Sequence, residues 1–108
     1  MKRLSLIINK NQETLVIQGK DEKVRFPCVE KMNDTKELLN IEVDLGETYL
    51  ITEKQEYFLA TIKTGDVKYS QEGRVFWLPV DLYSDVQWNE YDEQIRQLLQ
   101  KQGLDRSF

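Results

Sequence analysis

The stretch that decides the sheet of this protein reads "ETYLITEKQEYFLATIK", residues 47–63. Two runs rich in β-branched, aromatic and aliphatic residues, 47–53 and 56–63, stand on either side of Lys54-Gln55, and runs of this kind favour strands. Their close spacing predicts an antiparallel hairpin. Because Lys-Gln is not a preferred pair for a two-residue turn, we expect the turn itself to be wider.

Three shorter strands are predicted upstream of this hairpin. Residues 4–8 place alternate aliphatic side chains on one face, and residues 14–18 are predicted to be the returning strand of a hairpin with them. Residues 24–26 form a third strand, which ends at Pro27 because proline has no N–H to donate to a ladder. Downstream, residues 74–80 predict a further strand.

Two helices complete the expected order. The first is short, is capped by Asn33 or Asp34 and runs to Asn40. The second covers residues 89–102, with Gly103 as its C-cap. Its predicted buried face has apolar residues at spacings of three and four, namely Trp88, Tyr91, Ile95, Leu98 and Leu99. Mostly antiparallel strands with a long C-terminal helix predict an α+β fold, and a chain of 108 residues suits a single domain, 1–108.

The composition narrows the function. With 19 acidic and 15 basic residues the formal net charge is −4, so a nucleic-acid partner is not expected, since phosphate neutralisation needs a basic surface. No apolar run approaches the length of a membrane span or a signal-peptide core, which predicts a cytoplasmic protein without a membrane partner. The chain has no histidine, which excludes histidine bases and histidine metal sites. The lone Cys28 is expected to be a small buried side chain.

Several phrases together resemble the Nudix hydrolase domain over nearly the whole chain. They are the strand end Phe26-Pro27, the strand phrase at residues 57–60, an acidic residue (Glu72) in a later loop, and "FWLPVDL" at residues 76–82 before the closing helix. The resemblance implies a mixed, largely antiparallel sheet with a short helix and a long C-terminal helix. It also implies relatives that hydrolyse nucleoside diphosphates linked to another group.

The motif that defines this activity is degenerate and shortened in the chain. The best fit sets Lys36-Glu37-Leu38 on the Arg-Glu-hydrophobic triplet of the family, and the two later glutamates then fall on Asn40 and Ile41. Three glutamates at i, i+3 and i+4 share one helix face and can converge on a cation, whereas this chain keeps only Glu37 there. We therefore predict no cofactor, with Mg²⁺ required only if the domain is an enzyme.

Candidate site residues follow from the resemblance and from the acids that remain. Glu37 is the weak catalytic candidate. The metal candidates are the acids Glu30, Glu37, Glu42 and Glu72. The ligand-binding candidates are Arg25, Tyr57, Arg74 and Trp77.

Three functions stay open on the sequence alone. The favoured one is a non-catalytic Nudix-fold module that binds a nucleotide-like or other small ligand, or that simply retains the fold. The second is a Mg²⁺-dependent Nudix hydrolase with atypical metal ligands, in which carboxylates do the chemistry that histidine cannot. The third is a protein-interaction domain whose partner the sequence does not identify. Fold alone separates none of them.

Overall fold

A computed structural model of the protein describes residues 2–28, 39–65, 67 and 73–103. The predicted short helix falls outside these ranges apart from its last residues, Leu39 and Asn40. Leu39 is fully buried, and Asn40 has a left-handed φ of 60° immediately before the next strand. No helix among the described residues is long and apolar enough to span a membrane.

The strands lie in two sheets. In chain order they are β1 (Lys2–Ile7), β2 (Glu13–Gln18), β3 (Lys23–Arg25), β4 (Ile41–Ile51), β5 (Gln55–Gly65), β6 (Arg74–Pro79) and β7 (Gln87–Trp88). One sheet has the order β1-β5-β4 and the other β6-β2-β3-β7, and two of their five pairings, β1 with β5 and β3 with β7, are parallel. The helix α1 (Glu93–Gln102) closes the chain, so the predicted α+β architecture is confirmed.

The hairpin of residues 47–63 is confirmed, and its turn is wider than two residues. Strands β4 and β5 are antiparallel, and residues 52–54 connect them. The Thr52 hydroxyl oxygen accepts hydrogen bonds from the N–H of Gln55 at 3.0 Å and of Lys54 at 3.3 Å. The Thr52 N–H in turn donates to the carbonyl of Gln55 at 2.8 Å. One threonine therefore closes the turn that Lys-Gln alone would not favour.

The predicted hairpin between residues 4–8 and 14–18 is wrong. Strand β1 pairs in parallel with β5, whereas β2 lies in the other sheet, and a single bridge, Ile8 to Thr14, joins the two segments. On its second edge β1 meets the chain after β3, where the N–H of Ser5 donates to the carbonyl of Pro27 at 2.8 Å. Because both faces of β1 are buried, it gains more by lying between two partners than by folding back on β2.

Two groups of buried apolar residues form the core. The first joins β1, β3 and β5 to α1, and it contains the aromatic cluster of Phe26, Tyr57, Tyr83 and Trp88. The second lies on the opposite faces of the sheets and includes Ile7, Leu15, Ile17, Leu39, Ile41 and Ala60. Removing water from these groups is the main favourable contribution to folding.

The closing helix is shorter than the sequence predicts. Trp88 belongs to β7, and Tyr91 lies in a 3-10 turn (Glu90–Asp92) with 46% of its surface exposed. The turn forms because the Asn89 side chain accepts a hydrogen bond from the N–H of Tyr91, which places the cap before the 3-10 turn and not before α1. Within α1, Ile95 is fully buried as expected.

The end of α1 follows the prediction more closely. Leu99 is fully buried and Leu98 is half-buried against the same core. Gly103 ends the helix with a left-handed φ of 70°, and its N–H donates to the carbonyl of Leu99 at 2.7 Å. The predicted glycine C-cap is therefore confirmed.

Candidate functional site

A cleft of about 400 Å³ opens where the start of β1, the end of β3 and the turn before α1 meet. Leu4 and Phe26 give it an apolar part. Its polar and aromatic lining residues are Lys2, Arg25, Gln55, Asn89, Tyr91 and Asp92. The volume falls in the range typical of small-molecule sites, and the convergence of several polar groups is a common feature of such sites.

A second, more open depression of about 460 Å³ lies between Lys23, Trp88 and Arg96. The guanidinium of Arg96 is already paired with the carboxylate of Glu93 at 2.5 Å, and it also donates to Gln100. The guanidinium of Arg96, which lines this depression, is thus already paired within α1. We therefore consider the smaller cleft as the candidate site.

The floor of the cleft contains a buried carboxyl group. Asp92 is 2% exposed, and its Oδ1 accepts hydrogen bonds from Gln55 Nε2 at 2.8 Å and from the Tyr57 hydroxyl. The backbone N–H of Phe26 donates to the same carboxyl group. Asp92 stands at the N-cap of α1, yet its side chain makes no capping bond to that helix. It connects α1 to β5 and to the end of β3 instead.

Burial dominates the ionisation of this network. Desolvation raises the pKa of Asp92, although the hydrogen bonds from Tyr57, Gln55 and Phe26 and the positive charge of Arg25 act in the opposite direction. The pKa of Tyr57 is raised far above its usual value by burial and by the neighbouring carboxyl group of Asp92. A buried carboxyl group with a perturbed pKa at the base of a cleft is a frequent feature of binding and catalytic sites.

In the side-chain amides of Gln55 and Asn89, one polar atom is hydrogen-bonded to the protein and the other is not. Gln55 uses Nε2 to donate to Asp92, to the Tyr57 hydroxyl and to the carbonyl of Tyr91 at 3.2 Å. Asn89 uses Oδ1 to accept from the N–H of Tyr91 at 3.0 Å, and its own N–H donates to the carbonyl of Val24.

Neither the opposite atom of Gln55 (Oε1) nor that of Asn89 (Nδ2) bonds to a described residue. The described side chains contain no buried polar atom without a partner, so both atoms are accessible to solvent. Because Gln55 and Asn89 line the cleft, we expect it to offer one fixed acceptor and one fixed donor.

The structure brings only part of the predicted ligand site together. Arg25 lines the cleft, whereas Tyr57 is fully buried beneath it and holds Asp92. Arg74 and Trp77 lie on β6, which β2 separates from β3, and neither lines the cleft. The exposed Arg74 extends over the ring of Phe76 at 5.7 Å from its centroid. Tyr57, Arg74 and Trp77 therefore do not line this cleft, and their role in binding a ligand stays a prediction.

The acidic candidates do not form a site within the described residues. Glu42 lies exposed on β4 opposite Thr64, and Glu30, Glu37 and Glu72 fall outside the described ranges. No group of three metal-ligating side chains occurs in the part of the chain that the structure describes.

The structure describes two positions of the segment that was aligned with the motif of the family. The left-handed Asn40 precedes β4, and Ile41 is the first residue of β4 and is 1% exposed. An amide and a buried hydrocarbon therefore occupy the positions where the resemblance places two glutamates.

Sequence reasoning missed Gln55, Asn89 and Asp92 as site residues. A signal for Asp92 does exist, because it precedes Ile95 by three residues and Leu99 by seven, and so shares their helical face. An acidic residue at a core-facing position is unusual and often has a specific partner. The sequence does not reveal that this partner is the first residue of β5.

The fold has many relatives among solved structures. No family model and no curated protein sequence matches the chain. An ADP-ribose pyrophosphatase from Streptococcus suis is 15% identical, with a TM-score of 0.70, over 99% of this chain and 94% of its own. A C. elegans Ap4A hydrolase in a binary complex is 20% identical, with a TM-score of 0.66, over 94% of both chains.

A third similar structure is MutT, described for Aliivibrio salmonicida and Vibrio cholerae, which is 12% identical with a TM-score of 0.66 over 94% of this chain and 96% of its own. These neighbours are Nudix hydrolases, and the chain has their fold. At such low identities the likeness is one of fold alone.

Proposed function

We propose that this Nudix-fold domain binds a nucleotide-like small molecule in the cleft above Asp92 and does not hydrolyse it. The observation that carries the proposal is the pair of carboxamides, Gln55 and Asn89, each fixed by the protein at one end and open at the other. A donor and an acceptor held in this way suit the edge of a heterocyclic base, which also presents donors and acceptors.

The remaining lining fits the same class of ligand. Leu4 and Phe26 line the cleft but are themselves buried, so the apolar surface open to a planar ring is mainly the half-exposed ring of Tyr91 at the rim. Polar contacts made by fixed groups cost little ordering entropy on binding, so they favour affinity and specificity together. Two structural neighbours, an ADP-ribose pyrophosphatase and an Ap4A hydrolase, are named for nucleotide substrates, which supports a nucleotide-like ligand.

The absence of hydrolysis rests on the residues at the degenerate motif. Metal-dependent hydrolysis of a diphosphate bond needs a metal ion that neutralises the phosphate charge and a base that activates water. Asn40 is a weaker ligand than a carboxylate, and the buried Ile41 is not a ligand at all. Metal and base would therefore compete for Glu37, and we expect ligand binding to need no Mg²⁺.

Titration calorimetry with a panel of nucleosides and nucleotides in EDTA tests the binding. The informative variant is Asn89→Asp, because its carboxylate still accepts from the N–H of Tyr91 but replaces the open donor with an acceptor. We expect it to lose about tenfold in affinity, since a polar group of the ligand is left unpaired. Asn11→Asp, which makes the same change at an exposed turn, is the matched control. Equal affinities for wild type and Asn89→Asp would contradict the proposal, as would the absence of any binding.

A further inference from the structure

Two lysines meet at the mouth of the cleft. The backbone N–H of Lys2 donates to the carbonyl of Lys54 at 3.1 Å, which brings the start of β1 against the β4–β5 turn. The side chain of Lys2 lines the cleft. The Nζ atom of Lys54 lies 4.8 Å from the ring centroid of Tyr91, which lines the same cleft. Two positive charges therefore flank one opening.

The framework beneath these charges is fixed. Lys54 belongs to the turn that Thr52 closes with four hydrogen bonds. The carbonyl of Tyr91 accepts from the Tyr57 hydroxyl at 3.1 Å and from Gln55 at 3.2 Å, so the backbone of the residue whose ring lies under the Lys54 ammonium is held by the buried Asp92 network. A lysine that packs on a residue with a fixed backbone loses less freedom on binding an anion than a free surface lysine does.

The nearby charges leave both ammonium groups available. Within the described residues neither Lys2 nor Lys54 forms an ion pair, while the neighbouring Glu56 faces Arg3 at 4.0 Å and accepts from Thr48. Exposed Glu53 in the same turn is the other acid close by in the chain. In a protein of net charge −4, an unpaired cation pair at a cleft is a local reversal of sign that favours an anion.

Arg25 also lines the cleft, but its guanidinium extends towards a different part of the structure. One of its guanidinium nitrogens lies at the β2–β3 turn, 3.2 Å from where a Cβ on Gly19 would stand. The two lysines, and not Arg25, thus mark the mouth next to Tyr91.

We propose that Lys2 and Lys54 form a metal-independent anion subsite, which neutralises the phosphate of the ligand bound in the cleft. This inference rests on the proposed function for its ligand. It goes further by assigning the charge neutralisation to two side chains at the mouth and not to a divalent cation. Lysine ammonium groups bind phosphate as point charges and tolerate several phosphate geometries.

The test compares Lys2→Gln/Lys54→Gln with the control Lys10→Gln/Lys101→Gln, which removes the same charge at exposed positions elsewhere. The probes are inorganic pyrophosphate, adenosine with ADP, and guanosine with GDP, all titrated in EDTA. Affinity is measured by calorimetry, and the contact site by amide chemical shifts in ¹H–¹⁵N spectra. For the wild type we expect pyrophosphate to shift the amides of residues 2 and 54, and a diphosphate to bind more tightly than its nucleoside.

The double variant should lose about five- to twentyfold in diphosphate affinity, on the order of a few-fold per exposed charge, and should bind the nucleosides unchanged. The control should match the wild type. Diphosphate binding that needs Mg²⁺, or that is equal in the double variant and the control, would overturn the subsite while leaving the base cleft intact.

If no nucleoside or nucleotide binds, the proposed function fails. The titration with pyrophosphate then tests by itself whether Lys2 and Lys54 form an anion subsite. Shifts at residues 2 and 54 that the double variant abolishes would support the anion subsite. Their absence would overturn it.

Discussion

Gln55, the first residue of β5, donates a hydrogen bond of 2.8 Å to Asp92, the residue that precedes α1. The bond joins the central hairpin to the closing helix at the floor of the cleft. Tyr57, two residues further along β5, donates to the same oxygen. The walls that carry Asn89 and Tyr91 are therefore held by side chains that are themselves buried, and the shape of the cleft depends on this network.

Removing the Tyr57 hydroxyl should destabilise the protein without changing its fold. Tyr57→Phe keeps the ring in the aromatic core but leaves the buried Asp92 and the carbonyl of Tyr91 with one donor fewer. We expect a loss of about 1–3 kcal/mol in the free energy of unfolding, measured by urea denaturation. Tyr91→Phe, at a half-exposed ring, should change it by less than about 0.5 kcal/mol. Equal effects of the two variants would show that the buried hydroxyl is not structural.

The raised pKa of Asp92 predicts how stability depends on pH. The folded state holds the proton more tightly than the unfolded chain, whose value is near 3.8. The contribution of Asp92 is therefore fully present below that pH and is lost as the pH rises through the folded value.

This dependence can be measured against Asp92→Asn, which does not titrate. The free-energy advantage of the wild type over Asp92→Asn should shrink as the pH rises from below 4 towards 7 in urea unfolding experiments. A constant difference across that range would mean that Asp92 has the same pKa in both states.

Two buried phenols should resist ionisation. Burial raises the pKa of Tyr57 and of Tyr83, with the carboxyl group of Asp92 adding to the first effect. In an alkaline titration followed by phenolate absorbance, both should stay protonated through pH 10 and ionise only as the protein unfolds. Stability falls above pH 10 for the same reason, because the unfolded chain releases protons that the folded one retains. In Tyr57→Phe the late phase should lose one of these two phenols, and an unchanged late amplitude would contradict the assignment.

The helix face can be tested with two neighbouring leucines. Leu99 is fully buried in the core, whereas Leu98 is only partly covered. Leu99→Ala should cost about 2–5 kcal/mol of unfolding free energy, through lost burial and the cavity left behind. Leu98→Ala should cost about half as much or less, in proportion to its smaller buried area. The reverse order in urea denaturation would mean that the helix is rotated from the orientation described above.

No turnover is expected with Mg²⁺ or Mn²⁺ for nucleoside triphosphates, ADP-ribose, dinucleoside polyphosphates or NADH, measured by phosphate release and chromatography. Hydrolysis that Glu37→Gln abolishes would establish an enzyme with displaced ligands. Restoring the motif with Ile41→Glu carries a cost, because residue 41 is 1% exposed and an unpaired carboxylate there loses its hydration. Asn40→Glu carries a cost too, because residue 40 has a left-handed φ of 60° immediately before β4, so the folding of either variant is checked by circular dichroism before activity is assayed.

The positions of the strands and of the helix end were easier to predict from the sequence than the pairing of the strands. The hairpin of residues 47–63 and the Gly103 cap could be predicted because the signals are local, namely strand-forming runs and a glycine after a helical pattern. The pairing of β1 could not, because an adjacent apolar segment is the commonest partner and nothing in residues 4–8 favours β5 over β2.

The cleft was harder to predict for the same reason. Gln55 is an ordinary polar residue in its own segment. The core-facing position of Asp92 suggests that it has a partner, but the sequence does not identify Gln55 as that partner. The resemblance to a family directed attention to the acids near residue 37, and none of the cleft's polar groups except Arg25 was among the candidates.

The parallel pairing of β1 with β5 also affects how fast the protein acquires its structure. Strand β1 is synthesised before β5 and can form its ladder only once β5 has also been made. The pairing of β2 with β6 waits longer still. Such separation in sequence delays folding, since the chain must close large loops before these contacts form, and it predicts refolding in milliseconds to seconds rather than microseconds. Until then, the apolar face of β1 is a surface that a chaperone can recognise.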